Sequence, residues 1–306
     1  MKAIVTGANG FVGSATVKKL VSMGVSVLAI DMPGRSNNLD LTNSKIEFFP
    51  LLVENIDELK NKVVDRNYDL FYHFAWKGSA GDLRFDSNVQ LENALTTVKC
   101  LKIAHEIGCR KFICAGTIME YEVTNVIYSQ GSKPALGYIY GVGKQTAHGL
   151  CKPIANSLGI DLVWAYITNA YGVGELSPRF LNTTLRKIIN GQPLEFTSAT
   201  QNYDFVYVDD VAEAFYILGM FGKPNEGYMI GSGNAKPLKD FIFDIIDAVK
   251  APNKPLFGNV PFTGVNLSLD VFGIEQIQKL GFKPKVSFND GVKLTFEWLK
   301  ASEASK

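Results

Sequence analysis

The chain has 306 residues, of which 46% are hydrophobic and 20% charged, and its formal net charge is +1. That balance calls for a packed core and excludes a disordered chain, a general nucleic-acid footprint and a charge-driven membrane surface. No apolar run reaches the roughly 20 residues of a spanning helix, and "MKAIVTGANG" lacks the order of basic region, apolar run and cleavage site that marks a signal peptide, so a cytoplasmic protein is expected.

Apolar β-branched runs alternate with helical patterns along the first half. Residues 2–6 (KAIVT) read as a buried strand, and from Gly10 to Met23 the period turns helical, with Gly13, Val17 and Leu20 on one face. Residues 26–31 and 45–49 are the next strands, 56–65 a helix and 68–75 a fourth strand. A long helix is expected over 86–107, a fifth strand over 111–116, a helix over 138–158 and a sixth strand over 161–167. Pro153 should kink or shorten the 138–158 helix. This alternation predicts a doubly wound parallel sheet with helices on both faces. After residue 168, Gly and Pro become frequent. Residues 203–219 return to a strand and a helix, with Asp209 or Asp210 as the expected N-cap, and 236–306 holds two or three helices. The expected division is a nucleotide-binding domain of residues 1–168 plus 203–232, and a substrate lobe of 169–202 plus 233–306. The four cysteines form no C-x-x-C pair and the three histidines show no ligand spacing, so reduced thiols and no metal are expected.

The segment "TGANGFVG" offers Gly7, Asn9, Gly10, Phe11, Val12 and Gly13 between the first strand and the first helix. The glycines allow a tight turn, close approach of a pyrophosphate to free N–H groups at the helix N-terminus, and close packing of the helix. Asp31 ends the second strand, where a carboxylate can accept from an adenosine ribose. A carboxylate there repels a 2′-phosphate, which favours NAD over NADP, although Arg35 stands nearby. Further on, "YIYGVGK" puts Tyr140 and Lys144 one helical turn apart, with Tyr138 on another face.

The spacing Gly7-x-x-Gly10-x-x-Gly13 resembles the extended short-chain dehydrogenase/reductase family, in particular the NAD-dependent epimerase/dehydratase group acting on nucleotide sugars. The resemblance runs over nearly the whole chain and implies a Rossmann-type fold. It places Phe74, Ala75 and Trp76 along the cofactor and Asn93 near the nicotinamide ribose. It makes Thr117 the catalytic hydroxyl, and Tyr140 and Lys144 the Tyr-x-x-x-Lys pair. A cation one turn away stabilises a phenolate, so Tyr140 can take a proton from a substrate hydroxyl while hydride leaves the same carbon, and return it in reverse. Lys144 would also bind the nicotinamide ribose. "NAYGVG" (169–174) and "YDFVYVDD" (203–210) resemble two later signatures, with Asn169 at a substrate-phosphate position.

Several positions depart from the family. Ile118 and Met119 stand where the dehydratase branch has an Asp-Glu pair, which argues against a 4,6-dehydratase; Glu120 is one place off and should point elsewhere. Leu51 and Leu52 replace the acid that meets adenine. Tyr166 and Tyr203 replace two arginines, the second of which touches the substrate pyrophosphate. Arg179, Arg186 and Lys187 are candidates to supply that charge. Substrate contacts are therefore expected at Thr117, Asn169, Arg179 and Tyr203. An epimerase acting at a sugar C4 is the leading expectation. A 4-ketosugar or other carbonyl reductase is the alternative, and a non-catalytic dinucleotide-binding regulator is the reading from another class. The family resemblance also implies a homodimer through the 86–107 and 138–158 helices.

Overall fold

Strand β1 (Lys2–Thr6) is buried from Ala3 onward, as a strand covered on both faces must be. Ala3 and Val5 join one hydrophobic cluster and Ile4 another, following the two-residue period of a pleated strand. The computed structural model describes residues 1–35, 37–64, 67–252, 254–262 and 264–304. After β1 come α1 (Phe11–Ser22), β2 (Ser26–Asp31), β3 (Ile46–Pro50), a 3-10 stretch (Val53–Glu58), α2 (Leu59–Lys62), β4 (Leu70–His73) and α3 (Ser87–Glu106). Next are β5 (Lys111–Thr117), α4 (Met119–Ile127), α5 (Tyr138–Leu158), β6 (Asp161–Ile167), β7 (Asn169–Tyr171), α6 (Phe180–Ile189), β8 (Leu194–Phe196), β9 (Asn202–Tyr203) and β10 (Phe205–Tyr207). The chain ends with α7 (Val208–Phe221), β11 (Glu226–Ile230), β12 (Lys236–Pro237), α8 (Leu238–Val249), β13 (Pro255–Phe257), α9 (Glu275–Gln278) and α10 (Phe288–Ala304).

Seven strands form one parallel sheet in the order β11-β6-β5-β4-β1-β2-β3. This is the Rossmann-type doubly wound fold the sequence predicts. The chain leaves β1 toward β2 and β3, then returns to lay β4 on the other side of β1. The crevice beyond the carboxyl ends of β1 and β4 is therefore the topological switch point, where such sheets take their ligands.

On one face, α1 and α7 bring Val17, Leu20, Val211, Phe215 and Leu218 onto the sheet. On the other, α3 and α5 bring Ala94, Leu101, Ala147 and Cys151. The α5 stripe toward α3 is small at four-residue spacing, with Gly143, Ala147, Cys151 and Ala155 all buried, so the helices approach closely. A Cβ on Gly143 would stand 3.0 Å from the Gln90 backbone oxygen. Cys100, Cys109, Cys114 and Cys151 are free thiols buried in this same layer. Burial raises the pKa of each, that of Cys109 and Cys151 to about 12. A third cluster joins Leu181, Leu185, Phe196, Phe205, Phe241 and Leu299 from α6, β8, β10, α8 and α10.

Three expectations need correction, and one helix was not expected. The helix expected over 56–65 is a 3-10 stretch followed by the single turn α2; Ile56 and Leu59 carry its burial at a spacing of three, which suits a 3-10 turn. Its expected last residue, Asp65, lies outside the described residues. Pro153 does not end α5, which continues to Leu158 and closes on left-handed Gly159. The proline sits on the exposed face, where water can satisfy the carbonyl one turn back. Neither Asp209 nor Asp210 caps α7; β10 hands over directly, Tyr207 is the N-cap, and the Asp210 carboxylate accepts from the backbone N–H groups of Lys285 and Val286. Helix α4, which no periodicity announced, buries Glu120, Val123 and Val126.

His73 ties the layers together. Its Nδ1 lies 2.8 Å from Thr6 Oγ1 and its Nε2 3.1 Å from Thr97 Oγ1 of α3. Burial, and then the Lys144 cation, lower its pKa to about 3. A depressed base binds fewer protons folded than unfolded, so stability falls as pH drops below the unfolded value of about 6.5, by up to about 1.4 kcal/mol per pH unit. His73→Gln should be less stable than wild type at pH 7.5 in denaturant unfolding. At pH 5.5 the gap should shrink by about 1 kcal/mol.

Candidate active site

Parallel pairing sets Thr6 beside His73, so the residues that follow each strand meet. Phe74 N–H donates to Thr6 O at 3.0 Å. Gly7 turns with φ +69°, and a Cβ there would stand 2.6 Å from Ala75 N. Gly13 is tighter: a Cβ would fall 2.0 Å from Gly7 O, so its glycine lets the helix settle on its own loop. The start of α1 has no side-chain cap and no acidic residue in its first turn. Its free N–H groups and positive dipole end suit an anion such as a pyrophosphate.

The acidic end of β2 shapes this loop. Asp31 accepts from Asn9 N–H at 2.8 Å and from Met32 N–H at 2.8 Å. Asn9, 2% exposed, is clamped in turn: its Oδ1 accepts from Asn38 N–H and its Nδ2 donates to Asn37. Phe11 and Val12 open the helix beside it. Leu51 is buried in the sheet's second layer and Leu52 is exposed.

Beyond Ala75, Trp76 joins the cofactor crevice to α5. Its ring is perpendicular to that of Tyr140, with centroids 6.1 Å apart. Lys144 Nζ lies 3.7 Å from the Trp76 ring centroid and donates to Ala115 O at 2.7 Å. Tyr140 and Lys144 are buried at 9% and 4% exposure. Thr117, at the carboxyl end of β5, is 8% exposed; its Oγ1 accepts from Met119 N–H at 3.3 Å. Tyr138 packs instead on Val123 and Val126. The structure therefore brings the glycine loop, Phe74–Trp76, Tyr140 and Lys144 into one continuous surface.

Other expected residues are engaged elsewhere. The Asn93 amide bridges the Lys77 backbone, accepting from its N–H at 3.0 Å and donating to its carbonyl at 2.7 Å. Asn169 Nδ2 donates to Asp204 O at 3.0 Å. Arg179 pairs with Glu175 at 3.3 Å and Arg186 with Glu303 at 3.3 Å. Tyr166 turns away: its hydroxyl meets His148 Nδ1 at 3.2 Å, and it lines a hollow of about 1050 Å³ on the outer side of α4 and α5. Tyr203 is raised to about 12, by burial first and then by Glu122.

Sequence reasoning missed Gln90, Arg84 and Glu122, and expected Glu120 to point elsewhere, whereas it meets the Thr117 backbone. Gln90, 1% exposed, takes Trp76 Nε1–H at 2.7 Å and donates to Gly78 O and Leu83 O, fastening the loop after β4. The Arg84 guanidinium, carried by that loop, lies 4.2 Å from the Tyr140 ring centroid. Glu120 accepts from Thr117 N–H at 2.9 Å and from Trp164 Nε1–H at 3.1 Å. Glu122, two residues on, faces Arg84; burial raises its carboxyl to about 7 against the pull of that cation. For Arg84 and Gln90 the available signal was the family's site-lining segment after the fourth strand, which they extend; Glu120 and Glu122 follow the fifth strand on α4.

The fold is that of a dinucleotide-binding α/β enzyme. The chain belongs to the NAD dependent epimerase/dehydratase family, whose model matches residues 3–231. It is 25% identical to UDP-glucose 4-epimerase of Mycolicibacterium smegmatis, over 98% of this chain and 99% of that protein. It is 24% identical to dTDP-4-dehydro-6-deoxyglucose reductase of Escherichia coli, over 94% of each. Among solved structures, UDP-glucuronic acid 4-epimerase from Bacillus cereus, in complex with UDP-glucuronic acid and NAD, is similar at a TM-score of 0.80 and 24% identity, covering 99% of this chain and 100% of that one.

Gly13→Ala would drive its methyl into backbone atoms that cannot step aside. It should lower stability by about 1–3 kcal/mol and abolish the rise in melting temperature expected of NAD-free wild type on adding NAD. Thermal unfolding with and without NAD reads both.

Proposed function

We propose that this chain is a nucleotide-sugar epimerase-type oxidoreductase that binds NAD and transfers hydride at a sugar carbon, with C4 the favoured centre. What carries the reading is the unbroken surface from the Gly7 turn through Ala75 and Trp76 to Tyr140 and Lys144. The α1 N-terminus would receive the pyrophosphate, and Asp31 the adenosine ribose. When bound, NAD supplies a reversible hydride acceptor. Tyr140 removes the proton from the substrate hydroxyl and returns it after the ketone has presented its other face. The Lys144 ammonium, with one donor on Ala115 O, keeps a positive charge by the phenol and has further donors for the nicotinamide ribose. Thr117 holds the substrate oxygen. Residues 1–168 and 203–232 carry the cofactor; 169–202 and 233–306 shape the substrate lobe, where Asn169, Arg179 and Tyr203 are the candidate contacts.

The C4 assignment follows the reactions named for two of the relatives above. A 4-ketosugar reductase is the second reading, supported by the likeness to the E. coli reductase over 94% of each chain. Ile118 and Met119 leave no acid pair for a 4,6-dehydratase, and the presence of both Tyr140 and Lys144 disfavours a non-catalytic regulator. Tyr140→Phe should lower kcat on UDP-hexoses by about 10²–10⁴-fold while cofactor content stays unchanged. Undiminished turnover removes the assignment. Nucleotide released from denatured wild type separates the two reactions: near-stoichiometric NAD supports the epimerase, and an empty site with reversible NADH binding supports the reductase.

The same reading includes a homodimer. Leu91 and Leu95 on α3 are 48% and 64% exposed, and Val142 and Leu150 on α5 are 37% and 40% exposed. Together they give adjoining helices an apolar outer face. Wild type should sediment as a dimer at micromolar concentration and Leu95→Glu as a monomer; a monomeric wild type would sink this part.

A further inference from the structure

Arg84 has no counter-charge to match its position. Its Nη1 donates to Ser79 O at 2.7 Å, its Nη2 touches Met119 Sδ, and its guanidinium covers one face of Tyr140. A guanidinium carries five N–H donors, so most of them have no protein acceptor among the described residues. No carboxylate oxygen among those residues lies within salt-bridge distance of it. Glu122 is the carboxylate whose charge reaches it, and a carboxyl raised to about 7 is not a full counter-charge at neutral pH. Arg179, itself paired with Glu175, acts on it as another cation rather than as a partner. Burial disfavours the cation, yet the loop holds it there: Gly78 turns with φ +71° against Leu83, and the Gln90 amide ties Gly78 O and Leu83 O. A half-buried cation fixed by its own loop, with open donors, is built to meet an anion.

We propose that Arg84 is a specificity-determining residue of the substrate pocket, taking a carboxylate or phosphate oxygen of the substrate. The inference rests on the nucleotide-sugar reading above. A guanidinium stacked on the catalytic phenol lies next to the reacting carbon, at the sugar end of the substrate. That position favours a carboxylate on the neighbouring sugar carbon, as in a hexuronate, over the diphosphate at the far side of the ring.

The test is calorimetric titration of NAD-loaded wild type, Arg84→Gln and Arg84→Lys with UDP, UDP-glucose and UDP-glucuronate. Thermal unfolding checks that each variant is folded; the lysine variant keeps the charge and serves if the glutamine one does not fold. The expected result is a loss of about 10- to 100-fold in UDP-glucuronate affinity for Arg84→Gln, a smaller loss for Arg84→Lys, and little change for UDP and UDP-glucose. An equal loss for all three ligands assigns the anion to the diphosphate instead. Unchanged affinities for all three overturn the role of Arg84 and leave the nucleotide-sugar reading standing. A wild type that binds none of them overturns both.

Discussion

The site depends on one close contact, the backbone of Gly7 against the backbone of Ala75. Parallel pairing of β1 with β4 brings the two turns together, and the absent Cβ lets them touch. Any side chain at Gly7 would separate the glycine loop from Trp76, and so from the helix that carries Tyr140 and Lys144. Sequence neighbours at 7–13 and 74–76, and a helix more than 60 positions later, become a single surface because one methyl group is missing. The strands supply the register, and the small stripe on α5 supplies the closeness on the other side.

Around that contact, buried amides and carboxylates do the positioning. Asp31 holds Asn9, the Asn37–Asn38 turn holds Asn9 from the other side, and Asn93 and Gln90 hold the backbone after β4. Each satisfies backbone groups that would otherwise be stranded in the crevice wall. The loops therefore have little freedom to reorganise when a ligand arrives, and recognition falls to the side chains they present.

What was legible from the sequence was local. The glycine loop, the strand that precedes it and the acid ending β2 are fixed by spacing within about thirty residues. Helix α5 spans the expected 138–158, because its apolar period and its closing glycine are both written in the chain. What was not legible depends on tertiary placement. Glu120 and Glu122 are both acids on one short helix, and only packing tells that the first turns to Trp164 and that burial raises the second. Gln90 reads as a surface residue until α5 is laid against it. Asp210 resembles a helix cap in sequence, but a distant backbone at 285–286 claims its carboxylate.

The four cysteines give this architecture a chemical asymmetry. All lie in the layer between the sheet and α3 and α5, and none in the layer under α1 and α7. Their thiols are held protonated by burial, and only a thiolate reacts readily with an alkylating reagent. Modification must therefore wait for that one layer to open. The kinetics of thiol labelling become a clock for the unfolding of the helix pair that bears Tyr140, blind to fluctuations on the opposite face of the sheet.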